Sequence, residues 1–407
     1  MPKKALILLE GASNGQLYVQ AANRLGLRPV TLSTDPGQYQ YLASGGWDAI
    51  RVDTGNLDAT VTECLRQSSI CGIAGITSAR ESAYAAVGKL CQHFNLPGPQ
   101  PAAIELCCDK FLQRQLLEEN SIPIPGYRLA ANAAEVERSA EELGFPVIVK
   151  PAVGIASVGV RLCRDPGELA QHADYLLGER KIRLSSPRIL VEEFAQGPHY
   201  SIEIMGSEVI AIGAADFGRP PHFVCREYIY PAVVKEEDYE RIVDVSQKCL
   251  RALNLSWGPK NIDLRLTERG PVVIEVNPRL AGTPNSQLIK FAYGIDPISE
   301  HIKLAIGTQC NLHRSSSNTA AARILIADRD GTFEFTGGDS RAKAIPGVTE
   351  VKLYIERTTQ ILRKGDNRDR IGHIIAVSRN PAEVLVALQS AADLLDWSIT
   401  PSRPPGR

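Results

Sequence analysis

Short apolar runs and longer amphipathic stretches alternate along the first hundred positions. "ALILL" (5–9), "RPVTLST" (28–34), "AIRVDTG" (49–55) and "ICGIAGITS" (70–78) have the length and β-branched content of strands. "QLYVQAANRLG" (16–26) and "LDATVTECLRQS" (57–68) carry the three-to-four-residue apolar spacing of helices. This rhythm predicts a small doubly wound parallel sheet over 1–100. Residues 101–120, "PAAIELCCDKFLQRQLLEEN", read as one helix stopped by the proline-rich "SIPIPGY". Between 129 and 195 the pattern is helix, strand, glycine loop, strand, helix, strand, and strand-rich sequence then continues to 282. The polar "HRSSSN" (313–318) reads as a linker to an α+β tail containing "AAARILIA", "VTEVKLYIE", "RIGHIIAVS" and the helix "PAEVLVALQSAADLL". The terminal "SRPPGR" reads as frayed. No internal repeat or low-complexity tract interrupts the pattern.

At 407 residues the chain is long enough for two or three filled cores, and 44% hydrophobic with 22% charged residues is ordinary for a globular protein. The net charge of −1 supplies no basic footprint for nucleic acid. No apolar run reaches the ~18 residues of a membrane span, and "ALILL", closed by Glu10, is too short for a signal-peptide core. Nine scattered cysteines without a CxxC pair make neither a disulfide framework nor a zinc site. They are expected as reduced thiols in a cytoplasm. The loop "GASNG" (11–15) lacks the GxGxxG spacing and reads as a structural turn rather than a dinucleotide site.

Three stretches carry candidate chemistry. In "FPVIVKPAVGIASVGV" (145–160) a strand delivers Lys150 into a loop of Gly154, Ala156, Ser157 and Gly159, where small residues let backbone N–H groups approach phosphate oxygens. A plain hairpin with an exposed lysine fits the same residues. In "RILVEEFAQGPHYSIEI" (188–204) a strand ends on Glu192 and Glu193, which either meet water or flank a ligand such as a purine edge. The third stretch, "GPKNIDLRLTERGPVVIEVNPRLAG" (258–282), predicts a hairpin with Asp263 on one strand and Glu275 on the other. Facing carboxylates repel by up to ~1 kcal/mol, and a divalent cation removes that repulsion. Asp263, Glu275 and Asn277 offer the hard oxygens that suit Mg²⁺. The alternative is a polar strand face in water.

In this order and spacing the three stretches resemble the ATP-grasp superfamily, over roughly residues 1–400. Within it they look most like the carboxylate–amine ligases, including L-amino-acid ligases (dipeptide synthetases). "GRPPHFVCREYIYPA" (218–232) resembles the substrate-side segment of that branch. The resemblance implies an α/β and α+β ATP-grasp fold: a doubly wound pre-ATP-grasp domain (1–100), an ATP-grasp domain (101–312) with a mobile lid at about 129–195, and a C-terminal α+β domain (313–407). It implies that Lys110, Lys150 and Ser157 contact ATP phosphates and that Glu192, Glu193, Phe194 and Ala195 form the adenine hinge. His199 stands where an acid often holds the ribose. Asp263, Glu275 and Asn277 would hold Mg²⁺, or Mn²⁺ in its place; the family often has Glu where Asp263 stands. Arg279 would face the transferred phosphate and the acyl intermediate.

The implied activity joins a carboxylate to an amine through an acyl phosphate, with release of ADP and phosphate. His222, Arg226, Glu227 and Tyr228 lie where related ligases contact substrate; Arg226 could pair with a carboxylate and Glu227 attract an amine. A charged loop without ligand role is the competing reading. The expected partners are a small carboxylate and an amine, with neither nucleic acid nor membrane, and a homodimer is common in the superfamily. Two other readings stay open: a biotin-carboxylase-like or purine-biosynthetic enzyme activating bicarbonate or formate, and a nucleotide-binding regulator without turnover.

Overall fold

The computed structural model describes residues 3–11, 14–178 and 188–401; the expected frayed end and the middle of the "GASNG" turn lie outside the described residues. Strands β1 (Ala5–Leu9), β2 (Arg28–Ser33), β3 (Asp48–Arg51) and β4 (Ile73–Thr77) form a wholly parallel sheet in the order β3-β2-β1-β4. All five residues of β1 are buried, as a central parallel strand covered on both faces requires.

A second sheet is antiparallel. It comprises β5 (Tyr127–Ala130), β6 (Val147–Pro151), β7 (Arg161–Cys163) and β8 (Ile189–Glu193), ordered β5-β8-β6-β7. Helices Ala133–Leu143 and Pro166–Gly178 close its core through Val136, Ala140, Leu169, Ala173 and Leu176.

The large sheet positions the site. Its strands are β9 (His199–Met205), β10 (Glu208–Asp216), β11 (Glu227–Tyr230), β12 (Pro259–Thr267), β13 (Gly270–Asn277), β14 (Thr319–Ile326), β16 (Val348–Leu353) and β18 (Arg370–Ser378). They pair antiparallel in the order β13-β12-β9-β10-β11-β14-β18-β16. The polar stretch 313–318 leads directly into β14, which pairs with both β11 and β18, so this sheet runs on without a break past residue 313. A last small sheet, β17-β15-β19, joins β15 (Gly331–Gly337), β17 (Thr358–Ile361) and β19 (Asp396–Thr400).

The single helix expected over 101–120 is two: Pro101–Cys108 and Lys110–Glu119. Asp109 divides them, because its carboxylate accepts from the N–H groups of Phe111 and Leu112 and so caps a new helix. That break matters, since Lys110 becomes the first residue of the second helix. The second helix covers the open edge of β13: Gln113 donates to Val276 O and accepts from Val276 N, both at 2.9 Å, and Arg114 Nη2 donates to Ile274 O. These contacts satisfy edge groups that would otherwise be unpaired.

Candidate active site

Strand pairing sets out the site in rows. Glu275 of β13 stands opposite Asp263 of β12, Asp263 opposite Ser201 of β9, and Ser201 opposite Gly213 of β10. The next row runs Asn277, Asn261, Glu203, and the row on the other side runs Arg265, His199, Ala215, Tyr228. Residues directly paired share a face, so one face of the sheet carries every candidate metal ligand. The facing carboxylates expected from the hairpin are present. Arg279 lies beyond the end of β13 and is delivered by the following loop, its Nη2 3.5 Å from Asn277 Oδ1.

Cations converge on these acids. Lys110 Nζ lies 2.8 Å from Glu275 Oε1 and donates to Gly154 O at 2.6 Å, tying the helix start to the glycine loop. Burial alone would raise the Glu275 carboxyl, but Lys110 and Lys150 outweigh it and hold the group below the usual carboxylate range. Glu192, 2% exposed, is bound by Lys150 Nζ at 2.6 Å and Arg114 Nε at 2.7 Å. Its pKa is lowered for the same reason, burial opposing and the two cations prevailing. The Glu192 carboxylate is thus engaged by two cations at the wall of the cleft. Glu193 turns outward and pairs with Arg269 at 2.7 Å.

Between the antiparallel second sheet and the large sheet lies a cleft lined by residues of both. Its apolar lining includes Ile148, Val160, Phe194, Phe223 and Ile274, and its polar end includes Lys110, Lys150, Asp263 and Glu275. Ser157, Glu192, Glu193, Ala195 and His199 also line it. The loop over it holds Ala156 (φ 60°) and Ser157 (φ 58°) in the left-handed region, with Gly159 following at φ 72°, a turn that curls the backbone around the space below. His199 Nε2 sits 3.2 Å from Asp263 Oδ1, with its ring edge-on to Phe217.

The substrate-side candidates divide. Tyr228 shares the face of Asp263, but its neighbour Glu227 points to the opposite face, where it pairs with Arg323 at 3.4 Å. Glu227 is thus not brought to the cleft, because adjacent strand residues alternate. His222 and Arg226 are exposed; the His222 ring lies against Gly365 and the Arg226 guanidinium against Gly218.

Four residues of the site were not anticipated. Arg114 is buried beneath Glu192. Arg265 stacks over Phe194 at 5.3 Å and Phe223 at 5.9 Å inside the cavity. Glu81, from the C-terminal edge of the parallel sheet, pairs with Arg279 at 2.6 Å. Glu203 is buried, accepts from Asn261 at 3.0 Å and, at 3.5 Å, from Ala281 N, and burial pushes its carboxyl up to about 8. The polar alternation His199, Ser201, Glu203 along an otherwise buried strand was the available signal for the last.

Asp263, Glu275 and Asn277 fit a hard divalent cation in donor type and placement. Among the described residues no group of three or more His, Cys, Asp or Glu side chains could hold a metal ion by itself. Two carboxylates and an amide leave most of a six-coordinate shell to water and phosphate oxygens, which is how Mg²⁺ is commonly held beside a nucleotide. No helix of the described residues is long and apolar enough to cross a membrane.

Comparison with known proteins gives the same frame. The ATP-grasp domain family matches residues 143–287, and the L-amino acid ligase C-terminal domain 2 family matches residues 323–400. An uncharacterised protein of Sinorhizobium fredii, y4rH, is 56% identical over 400 residues, 98% of this chain and 84% of that protein. Carnosine synthase 1 of Homo sapiens is 29% identical over 238 residues; the match takes in 54% of this chain and 29% of that enzyme. The L-amino acid ligase of Bacillus licheniformis shares the fold, with a TM-score of 0.83 at 23% identity over 98% of this chain and 100% of that one. The chain carries an ATP-grasp domain followed by an L-amino acid ligase C-terminal domain 2, and it belongs to one family with the y4rH protein.

Proposed function

We propose that the protein joins a small carboxylic acid or amino acid to the amino group of an amino acid, using ATP and Mg²⁺ and passing through an acyl phosphate. The observation that supports this best is the meeting of Asp263 and Glu275 with Lys110 and Lys150 in one cleft. Adenine would lie among Ile148, Phe194, Phe223 and the hinge backbone at Glu193–Ala195, with the triphosphate toward Lys110, Lys150 and the Gly154–Gly159 loop. Mg²⁺, held by Asp263, Glu275 and Asn277, would screen the triphosphate and polarise the phosphoryl group.

The substrate carboxylate oxygen forms a bond to the γ-phosphorus as the bond to the ADP oxygen breaks. The amine nitrogen then bonds to the acyl carbon, phosphate leaves, and the surplus amine proton goes to the departing phosphate or to solvent. Lys110 and Lys150 orient and neutralise the transferred group, which is most of what phosphoryl transfer asks of a protein. Arg279 is placed beside Asn277 to stabilise charge on the acyl oxygen and the leaving phosphate. His199, bonded to Asp263, fixes that carboxylate's orientation. Closure of the second sheet over the cavity would exclude the water that hydrolyses an acyl phosphate.

The test is ADP release with Mg·ATP and paired acids and amines. Release that needs both members, with a product mass equal to their sum less water, supports the reading. Release with bicarbonate and an acceptor, giving a carboxylated product, overturns it.

A further inference from the structure

The glycine loop over the cleft is held from two sides. Lys110 Nζ takes Gly154 O on one side, and Asn367 N donates to Ala156 O at 3.3 Å on the other. A loop that meets phosphate does so through its N–H groups, so its carbonyls need donors elsewhere. Lys110 belongs to the cleft itself. Asn367 does not: it stands between β17 and β18, in the C-terminal part of the chain.

The segment around Asn367 is braced from within. Asp369, 3% exposed, accepts from Lys364 N and Gly365 N, both at 2.7 Å. Asp366, also buried, accepts from Arg368 N at 3.0 Å and pairs with the Arg368 guanidinium at 2.6 Å. Ala327 N, just past β14, donates to Asp369 O at 3.0 Å and fastens the segment to the large sheet. Residues 363–369 are therefore a stiff projection rather than a free loop.

This projection meets the second sheet and its helices at a further point, where Arg368 hydrogen-bonds the Tyr175 side chain of helix Pro166–Gly178. Beside these contacts Gly365 (φ 73°) lies so near His222 that a Cβ would meet the ring at 2.6 Å. His222 in turn bridges Arg161 of β7, and Leu162 N donates to Pro221 O at 3.0 Å. The edge strand of the second sheet is thus paired by a loop that the projection backs. Phe223, next to His222 in the chain, reaches the cleft and packs against Phe194.

We propose that residues 363–369 are a catch that holds the second sheet and its glycine loop down over the nucleotide, with Asn367 and Arg368 as positioning residues. Neither lines the cleft, so both act through Ala156 and Tyr175. What the catch guards rests on the ligase reading above. With the catch released, nucleotide binds less tightly and water reaches the acyl phosphate. The water oxygen then bonds to the acyl carbon as phosphate leaves, the acid is regenerated, and ADP forms without amide.

The experiment compares the full chain with Asn367→Pro, Tyr175→Phe and the two combined. Asp366 is extended (φ −143°, ψ −172°) and Asn367 opens a short helical turn, so proline fits there and removes only the N–H. Kd for a non-hydrolysable ATP analogue with Mg²⁺ is measured by calorimetry. Each single change raises it about fivefold, the effect of one hydrogen bond, and the pair about 25-fold. ADP formed per amide rises above one, while KM for the amine is unchanged. Melting of the nucleotide-free protein stays at the wild-type temperature, because a catch acts on closure and a merely structural contact acts on folding. If no acid and amine release ADP, the ligase reading fails, and Kd still decides the catch. Unchanged Kd in the double variant, or a fall in melting temperature without a change in Kd, overturns it.

Discussion

Arg279 Nε lies 2.6 Å from Glu81 Oε2, a contact that spans 198 residues and ties the rim of the parallel sheet to the loop after β13. Without a phosphate nearby, Glu81 is the anion that balances this guanidinium. Glu81→Gln leaves Arg279 partly buried and uncompensated, and a loss of about 2 kcal/mol follows once partial exposure is allowed for. Urea unfolding measures it. Mg·ATP restores part of the loss, because its phosphates supply a replacement anion; an unchanged midpoint contradicts the assignment.

Glu275→Gln lowers turnover at least about 100-fold, since one of two metal carboxylates is gone. Folding changes by less than about 1 kcal/mol, because the lost attraction to Lys110 and the relieved repulsion from Asp263 oppose each other. Turnover titrated with Mg²⁺, alongside melting of the metal-free protein, checks both halves. Full activity at ordinary Mg²⁺ would end the metal assignment.

Arg265→Ala raises KM for ATP about tenfold, from the loss of a cation held between two phenyl rings in the cavity wall. KM for the amine is unaffected. An effect confined to the amine would move the adenine away from Phe194 and Phe223.

Glu203 predicts a pH dependence. Its folded pKa of about 8 exceeds the ordinary 4.5, so the folded state binds the extra proton between those values. Its contribution is complete below pH 4.5 and is lost as pH rises through about 8. Glu203→Gln abolishes that slope: the wild type, measured without metal, loses stability relative to the variant from about pH 4.5 to 8 and no further. Parallel curves for the two proteins would show that Glu203 is ionised throughout.

Much of this arrangement is legible in the sequence. The first-sheet strands are continuous apolar runs, and the "TERG" turn marks a hairpin with an acid on each strand; the bulge between Asp263 and Leu264, which moves Asp263 from Ile274 to face Glu275, leaves no mark in the sequence. Residues whose role is set by distant partners are less legible. Arg114 lies on an ordinary helical face until the fold brings Glu192 to it from 78 positions away. The break at Asp109 was hidden because a capping aspartate inside an amphipathic pattern leaves the apolar spacing intact. β15, β17 and β19 alternate buried and exposed positions over only a few residues, too weak a pattern to name them as strands beside the apolar runs of the tail. Glu227 was grouped with Tyr228 by proximity in sequence, whereas alternation sends the two side chains apart.

The most direct test of the central claim is ADP formation by the purified protein with Mg·ATP, acid and amine supplied singly and in pairs, with the product weighed by mass spectrometry. The account predicts ADP and phosphate in equal amounts only when an acid and an amine are both present, with an amide of their summed mass less water. ADP formed without any condensed product, or a carboxylated product from bicarbonate, would contradict it.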